Sequence, residues 1–266
     1  MGAHITSHRD GFGPGRTTVV SAGDDDSGMD FAVVRWAAGE RVELTTAQET
    51  AWLLMQGRLR VTFGGDTHTI TRDSLFDELP WALHVAAGEA VVFECETDVE
   101  VTEYGAANRE RFDPVLYGPD DVRNERRGKG ALRDASFRFV RTIFDDTNTS
   151  KNAQLVLGEV VNLPGRWSSY PPHHHPQNEI YHYRFTDPRG YGHAELGEDV
   201  RKVRPNDTIK IQGGLDHSQC AAPGYGMYYA WVIRHLPERR YDVPDFTEAH
   251  TWTMKPGADG WWPSGE

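Results

Sequence analysis

The chain has 266 residues, of which 38% are hydrophobic and 26% charged, a composition typical of a globular protein. Its 40 acidic residues outnumber the 28 basic ones and give a formal net charge of −12, which disfavours binding to the phosphate backbone of a nucleic acid. The sequence has no run of 18 apolar residues and no apolar signal segment at its N-terminus, so we predict neither a membrane span nor a secretory signal. Two cysteines, Cys95 and Cys220, without paired spacing indicate reduced thiols in the cytoplasm.

Short strands are predicted throughout the first half, after a polar, Gly-rich lead of about a dozen residues. Segments rich in β-branched and aromatic residues alternate with Gly, Asp and Asn turns, at 31–36, 51–56, 58–63, 90–95 and 99–104. Long segments with a 3.6-residue apolar period are absent, so the sequence indicates an all-β protein built from antiparallel sandwiches or barrels.

The second half repeats this pattern, with its best predicted strands at 154–161, 180–185, 207–213 and 227–233. Between the halves, residues 108–134 are dense in charge, Pro and Gly and show no clear strand period, which indicates a connection between two barrels. We therefore predict two domains, residues 1–122 and 123–266. The tail from about Asp242 is rich in Pro, Gly and Trp, and we expect it to lie extended over a barrel surface or against a partner subunit.

A metal site is predicted in the second half, at PPHHHPQNEIYHYRF (171–185). His173 and His175 are two positions apart, so an extended strand aims both imidazoles at one point and turns His174 the other way. Glu179 opens the next strand, and His217 follows a distant Gly-Gly turn that reverses the chain. Three imidazoles and one carboxylate suit one divalent ion of zinc, manganese, iron, cobalt or nickel, with coordination positions left open.

The first half lacks a corresponding His-x-His pair. Only Glu49 and His84 stand near equivalent positions, and two isolated ligands do not make a site, so we interpret this half as scaffold.

These ligands carry the cupin signature of His-x-His, a Glu, and a later His after a turn. The chain further resembles the 5-deoxy-glucuronate isomerase family of bacterial inositol catabolism, which is related to the pectin-pathway isomerase of 4-deoxy-5-keto-uronates. The resemblance covers roughly residues 20–255 and is carried by AAGE (37–40), LLMQGRLRVTFGG (53–65), RRGKGALR (126–133), QLVLGEVVNLPGRW (154–167), RWSSYPPHHH (166–175), EIYHYRF (179–185) and AAPGYGMYYAWV (221–232). It implies two cupin barrels in one chain.

Several segments depart from the family pattern. His174 and Pro176 replace a Lys and an Asp around the second ligand, the segment after RGYG is shortened, and GLDHSQ (214–219) replaces a Gly-Tyr-His-Pro turn. The ligands are retained while the pocket wall differs, so a different sugar acid stays open as the substrate.

The resemblance implies an intramolecular oxidoreductase that converts an aldose sugar acid into a ketose through an enediol. Tyr183 and Tyr229 are the candidate catalytic or orienting groups, since both occupy predicted pocket strands. A uronate carboxylate requires a cation, for which Arg166, next to the metal loop, is the first candidate and Lys210 the second.

Two other functions remain open at this point. The same three-His, one-Glu set serves cupin dioxygenases, and a sugar-binding cupin could retain the metal without turnover. The expected partner is a small-molecule sugar acid, with no nucleic acid and no membrane, and a homo-oligomer is compatible with the Trp-rich tail.

Overall fold

Strands make up nearly all of the regular structure in the computed structural model, which describes residues 2–23 and 27–263. Within those residues two short 3₁₀ helices, Leu132–Asp134 and Glu248–Met254, are the helical elements, and no helix is long and apolar enough to cross a membrane. The prediction of an all-β protein is confirmed.

Nine strands of the described residues form the sheet system of the first half. They are β2 (Gly15–Val20), β3 (Met29–Trp36), β4 (Arg41–Thr45), β5 (Glu49–Phe63), β6 (Asp66–Arg72), β7 (Ala82–Val85), β8 (Ala90–Cys95), β9 (Val99–Ala106) and β10 (Val115–Tyr117). The order β10-β7-β5-β9-β3-β2 forms one side, and β4, β6 and β8 form the other by pairing with each other or with β5. All pairs are antiparallel, and the apolar residues between the two sides form one core.

The prediction for β5 was wrong in one detail. Two strands were predicted, at 51–56 and 58–63, whereas the chain forms a single strand of 15 residues. The pairing of β5 with β9 shifts register between Leu54 and Gln56. Gly57 follows with a φ of 107°, and a Cβ at this position would lie 2.4 Å from the Asp98 carbonyl oxygen. The strand continues because its first part pairs with β7 and β9 and its second part with β6 and β8.

The second half forms two further sheets. The seven-stranded sheet has the order β1-β18-β15-β20-β13-β12-β11 and contains β1 (His4–Ile5), β11 (Arg123–Arg127), β12 (Arg138–Phe144), β13 (Leu155–Asn162), β15 (Glu179–Phe185), β18 (Thr208–Ile211) and β20 (Met227–Arg234). The five-stranded sheet has the order β17-β16-β19-β14-β21 and contains β14 (Trp167–His174), β16 (Gly192–Leu196), β17 (Asp199–Val203), β19 (His217–Ala221) and β21 (Asp245–Phe246).

The two barrels share a buried apolar layer. Side chains from β3 and β5, such as Phe31 and Leu53, pack in one cluster with Ile180 and Val232 from β15 and β20. The opposite faces of β15 and β20 point into the second barrel, where Tyr181, Tyr183 and Tyr229 belong to a separate cluster. Successive residues of one strand therefore serve the two cores alternately.

The connecting and terminal segments differ from their sequence interpretation. The connection 108–134 contains two strands, of which β10 pairs with β7 of the first barrel and β11 with β12 of the second, so the predicted boundary at 122/123 falls between them. The N-terminal lead contributes β1, which pairs with β18 of the second barrel. The C-terminal tail adds β21 beside β14 and then the second 3₁₀ helix.

Candidate metal centre

Three predicted ligands meet where β14, β15 and β19 approach one another. One ligand atom from each of His175, Glu179 and His217 lies within 4.8 Å of the other two, and all three residues are buried. Glu179 is the first residue of β15 and His217 the first of β19, while His175 directly follows β14. Strand ends thus hold the three side chains at a single point of the barrel.

The backbone fixes the orientation of each imidazole. Nδ1 of His175 lies 3.0 Å from the Gln177 carbonyl oxygen, and Nδ1 of His217 lies 3.0 Å from that of Leu215. A carbonyl oxygen only accepts, so Nδ1 carries the proton and donates it in both residues. The Nε2 atoms are then left with free lone pairs, as in metal-ligating histidines.

These lone pairs face a carboxylate rather than a donor. Nε2 of His175 lies 3.3 Å and Nε2 of His217 lies 3.4 Å from Oε2 of Glu179. Burial disfavours the charged form of the Glu179 side chain, and lone pairs that face it give it no compensating hydrogen bond. A buried anion against two lone-pair donors requires a cation among them, and the donor set therefore fits a divalent metal ion.

His173 lies beside this group without belonging to the three mutually close ligands. It is the direct cross-strand neighbour of His217, and the two ring centroids are 4.4 Å apart. Its Nδ1 lies 3.3 Å from the Pro171 carbonyl oxygen, and burial and the neighbouring His217 lower its pKa to about 3. Its imidazole is therefore neutral. His174 points away, as alternation predicts, and its Nδ1 contacts Asp216 at 2.7 Å.

The two ligand-bearing loops are tied together by backbone contacts. Gly214 donates its N–H to the carbonyl oxygen of His175 at 2.7 Å, and Gly213 donates to Oδ1 of Asn178 at 2.9 Å. A Cβ on Gly213 would lie 2.1 Å from the Pro176 carbonyl oxygen, so only glycine permits this approach. The Gly-Gly turn thus sets the distance of His217 from the other ligands.

A cavity of about 660 Å³ opens onto this centre. Its walls come from the centre itself, from β11 and the turn that follows it, and from the C-terminal tail at Pro244, Phe246 and residues 253–257. The tail expected to cover a barrel surface therefore forms part of the cavity wall.

The four predicted catalytic and substrate-binding residues lie outside the lining of this cavity. Tyr183 is fully buried and donates to Oε1 of Gln219 at 2.7 Å. Tyr229 contacts Oγ of Ser169, a lining residue, at 3.1 Å, and burial raises its pKa to about 12.

Neither predicted cation points at the centre. Arg166 lies in the turn before β14 and donates to the Arg133 carbonyl oxygen at 3.3 Å. Lys210 lies between the core residues Ile209 and Ile211, so alternation turns its side chain to the opposite face of β18.

Three residues that do line the cavity were missed. Arg138 lies on β12 and Tyr181 on β15. Ser169 lies on β14, before His173. Oγ of Ser169 lies 3.3 Å from the Tyr181 hydroxyl. One available signal was the alternation in RFVRTIF, which places Arg138 on the same inward face as Val140.

The first barrel uses Glu49 and His84 differently. The fully buried Glu49 carboxylate accepts from Nε2 of His84 at 2.9 Å and from the backbone N–H groups of Gln154 and Leu155 at 2.8 and 2.9 Å. This carboxylate links one barrel to a strand of the other.

Two barrels, one of which holds a His/Glu cluster in an open cavity, define a two-barrel cupin with a candidate metal centre. The chain belongs to the KduI/IolB family, whose model matches residues 5–253. It is 27% identical over 258 residues to a protein of Geobacillus kaustophilus named 5-deoxy-glucuronate isomerase, with 90% of each chain covered. A protein of Bacillus subtilis strain 168 with the same name is 25% identical, with 89% of this chain and 92% of that protein covered.

The solved structures support the fold. An IolB-like protein of Salmonella typhimurium LT2 superposes with a TM-score of 0.84 at 22% identity, over 96% of this chain and all of that one. A cupin 2 conserved barrel domain protein of Leptotrichia buccalis superposes with a TM-score of 0.53 at 11% identity, over 87% of this chain and 95% of that one. The predicted family and cupin fold are therefore confirmed, and the prediction of an intramolecular oxidoreductase is confirmed at the level of the family.

Proposed function

We propose that the chain is a metal-dependent aldose–ketose isomerase that converts 5-deoxy-D-glucuronate into 5-dehydro-2-deoxy-D-gluconate. The observation that carries this proposal is the pair of Nε2 lone pairs held against the buried Glu179 carboxylate inside a substrate-sized cavity. The names of the curated relatives support the choice of substrate.

His173, His175, Glu179 and His217 would hold one divalent ion. Such an ion supplies Lewis acidity that polarises the carbonyl and hydroxyl oxygens of a bound sugar. The backbone carbonyls that accept from the Nδ1 atoms keep the three imidazoles in the tautomer that ligation requires.

The reaction moves one hydrogen from C2 to C1 of the open-chain sugar. A proton leaves C2, an enediol forms, and a proton is added to C1 as the C2 hydroxyl becomes the ketone, so no external oxidant or reductant is consumed. Ser169 and Tyr181 line the cavity beside the candidate ligands, and their hydroxyls can donate hydrogen bonds to the sugar oxygens. Tyr229 would act as a positioning residue, because its hydroxyl contacts Oγ of both Ser168 and Ser169.

The test is to incubate the protein as purified with 5-deoxy-D-glucuronate and to follow loss of the aldehyde and gain of the ketone by NMR. We expect turnover by the native protein, one equivalent of divalent metal by elemental analysis, and loss of both in His175→Ala. His174→Ala is the matched control, since its side chain pairs with Asp216 rather than the centre, and it should retain metal and turnover.

Other outcomes would redirect the assignment. Consumption of oxygen with a sugar acid would identify a cupin dioxygenase. Saturable binding without product would identify a sugar-binding cupin, and equal metal content in the two histidine variants would refute the ligand assignment.

A further inference from the structure

Among the charged residues that the structure describes, Arg138 is buried without a counterion. The residue is 7% exposed. Its guanidinium donates to two backbone carbonyl oxygens, those of Ser136 at 2.8 Å and Tyr170 at 3.0 Å, and to no carboxylate in the described part of the chain. Its Nε–H has no partner among the same residues.

Burying a charged guanidinium costs free energy unless an anion binds to it. Burial lowers the pKa of Arg138 to about 10, which still leaves it charged at neutral pH. The other buried arginines contrast with it, because Arg72 and Arg141 share the carboxylate of Glu159 at 2.7 and 2.8 Å. Arg138 instead lines the cavity that contains the candidate metal centre.

The other charged side chains of the cavity wall also favour an anionic ligand. Four cationic side chains line it against two carboxylates, which belong to Glu125 and Glu179. Glu125 and Arg127 pair with each other at 2.7 Å, which leaves three cations and the single carboxylate of Glu179. A cation-rich wall in a chain of net charge −12 is a local reversal that favours an anionic ligand.

The spacing suits a six-carbon acid. Arg138 contacts the carbonyl oxygen of Tyr170, and His173 lies three residues further along β14, at most roughly 10 Å of extended chain. Five carbon–carbon bonds span roughly 6 Å, which leaves room at each end for an ion contact.

We propose that Arg138 is the carboxylate-binding residue of the cavity, so that a sugar acid lies with its carboxylate on this guanidinium and its carbonyl end at the His/Glu cluster. Arg138 replaces Arg166 and Lys210 in this role. The inference rests on the proposed sugar-acid substrate, and it adds the residue that selects an acid over a neutral sugar. The exposed Lys129 and Lys255 at the cavity wall assist by attracting the anion.

The experiment compares D-glucuronate with D-glucuronamide, which differ in the charge of one group. Their affinities for the protein as purified are measured by calorimetry, alongside KM for 5-deoxy-D-glucuronate. The native protein should prefer the acid by about 10- to 100-fold, as for a hydrogen bond to a charged group. Arg138→Met should reduce this preference to less than about threefold and raise KM by about the same 10- to 100-fold, with metal content unchanged.

Two further variants keep the result interpretable. Arg138→Gln retains donors for the two carbonyl oxygens without the charge, so it should show the same loss if the Met variant fails to fold. Arg126→Met removes one positive charge from β11 at an exposed side chain that contacts Phe139, and it should retain the preference for the acid.

The outcomes separate this inference from the proposed function. Loss of the acid preference in the Arg138 variants supports the subsite even if 5-deoxy-D-glucuronate is not turned over. Turnover with an unchanged preference and KM in both Arg138 variants would overturn the subsite and leave the isomerase intact.

Discussion

Glu159→Gln tests the coupling between the two barrels. The Glu159 carboxylate is fully buried and accepts from Nη2 of Arg72 at 2.7 Å and Nη1 of Arg141 at 2.8 Å. Arg72 belongs to the first barrel and Arg141 to the second, and the Tyr228 hydroxyl donates to the same carboxylate at 2.8 Å. The substitution preserves shape but leaves two buried guanidinium groups without an anion.

Breaking a buried ion pair by removing one partner costs about 3–5 kcal/mol. For 266 residues and an unfolding entropy of about 2 cal/mol/K per residue, this corresponds to a fall in Tm of roughly 5–9 °C. Differential scanning calorimetry measures the shift. Glu43→Gln is the control, since its pair with Arg41 is more than half exposed, and it should change Tm by under about 2 °C. A shift for Glu159→Gln no larger than that of the control would refute the reasoning.

Two further substitutions probe the metal loop and the pH dependence of stability. Gly213→Ala places a Cβ 2.1 Å from the Pro176 carbonyl oxygen, so the two ligand loops must separate, and competition with a chelator should show metal affinity reduced by about 10-fold or more. Gly13→Ala, which meets nothing within 4 Å, should match the native protein, and equal affinities would contradict the loop argument. Burial lowers the pKa of His235 to about 4, and its Nδ1 accepts the Tyr241 N–H at 2.8 Å. Protonation is therefore easier in the unfolded chain, and the stability present above about pH 6.5 should fall by roughly 3 kcal/mol as the pH drops towards 4. Urea titrations across this range measure the effect, and an equally steep loss in His235→Gln would exclude His235 as its source.

Local signals in the sequence located several of the strands and the segment that carries the candidate metal ligands. β8 matches its predicted segment, and β9 and β15 differ from theirs by one or two residues, because alternation and β-branched composition are properties of the segment itself. The spacing of His173 and His175 likewise predicts two imidazoles on one face.

Strand pairing had to come from the tertiary structure. The continuity of β5 depends on partners from both sides of its barrel, and the role of the tail depends on its pairing with β14. These contacts join residues far apart in the chain, and periodicity within one segment carries no information about which segments become neighbours.

The candidate ligands could be predicted from local sequence patterns, whereas the residues around them could not. The sequence by itself determined the all-β class and the His/Glu motif, since both depend on the spacing of residues within short segments. The tertiary structure alone decided that Arg138, rather than Arg166, faces the cavity, and that Tyr183 is directed to Gln219. Burial and the direction of a side chain across a curved sheet depend on the packing of the whole barrel, which is why sequence proximity to the metal loop was a poor guide to the cavity wall.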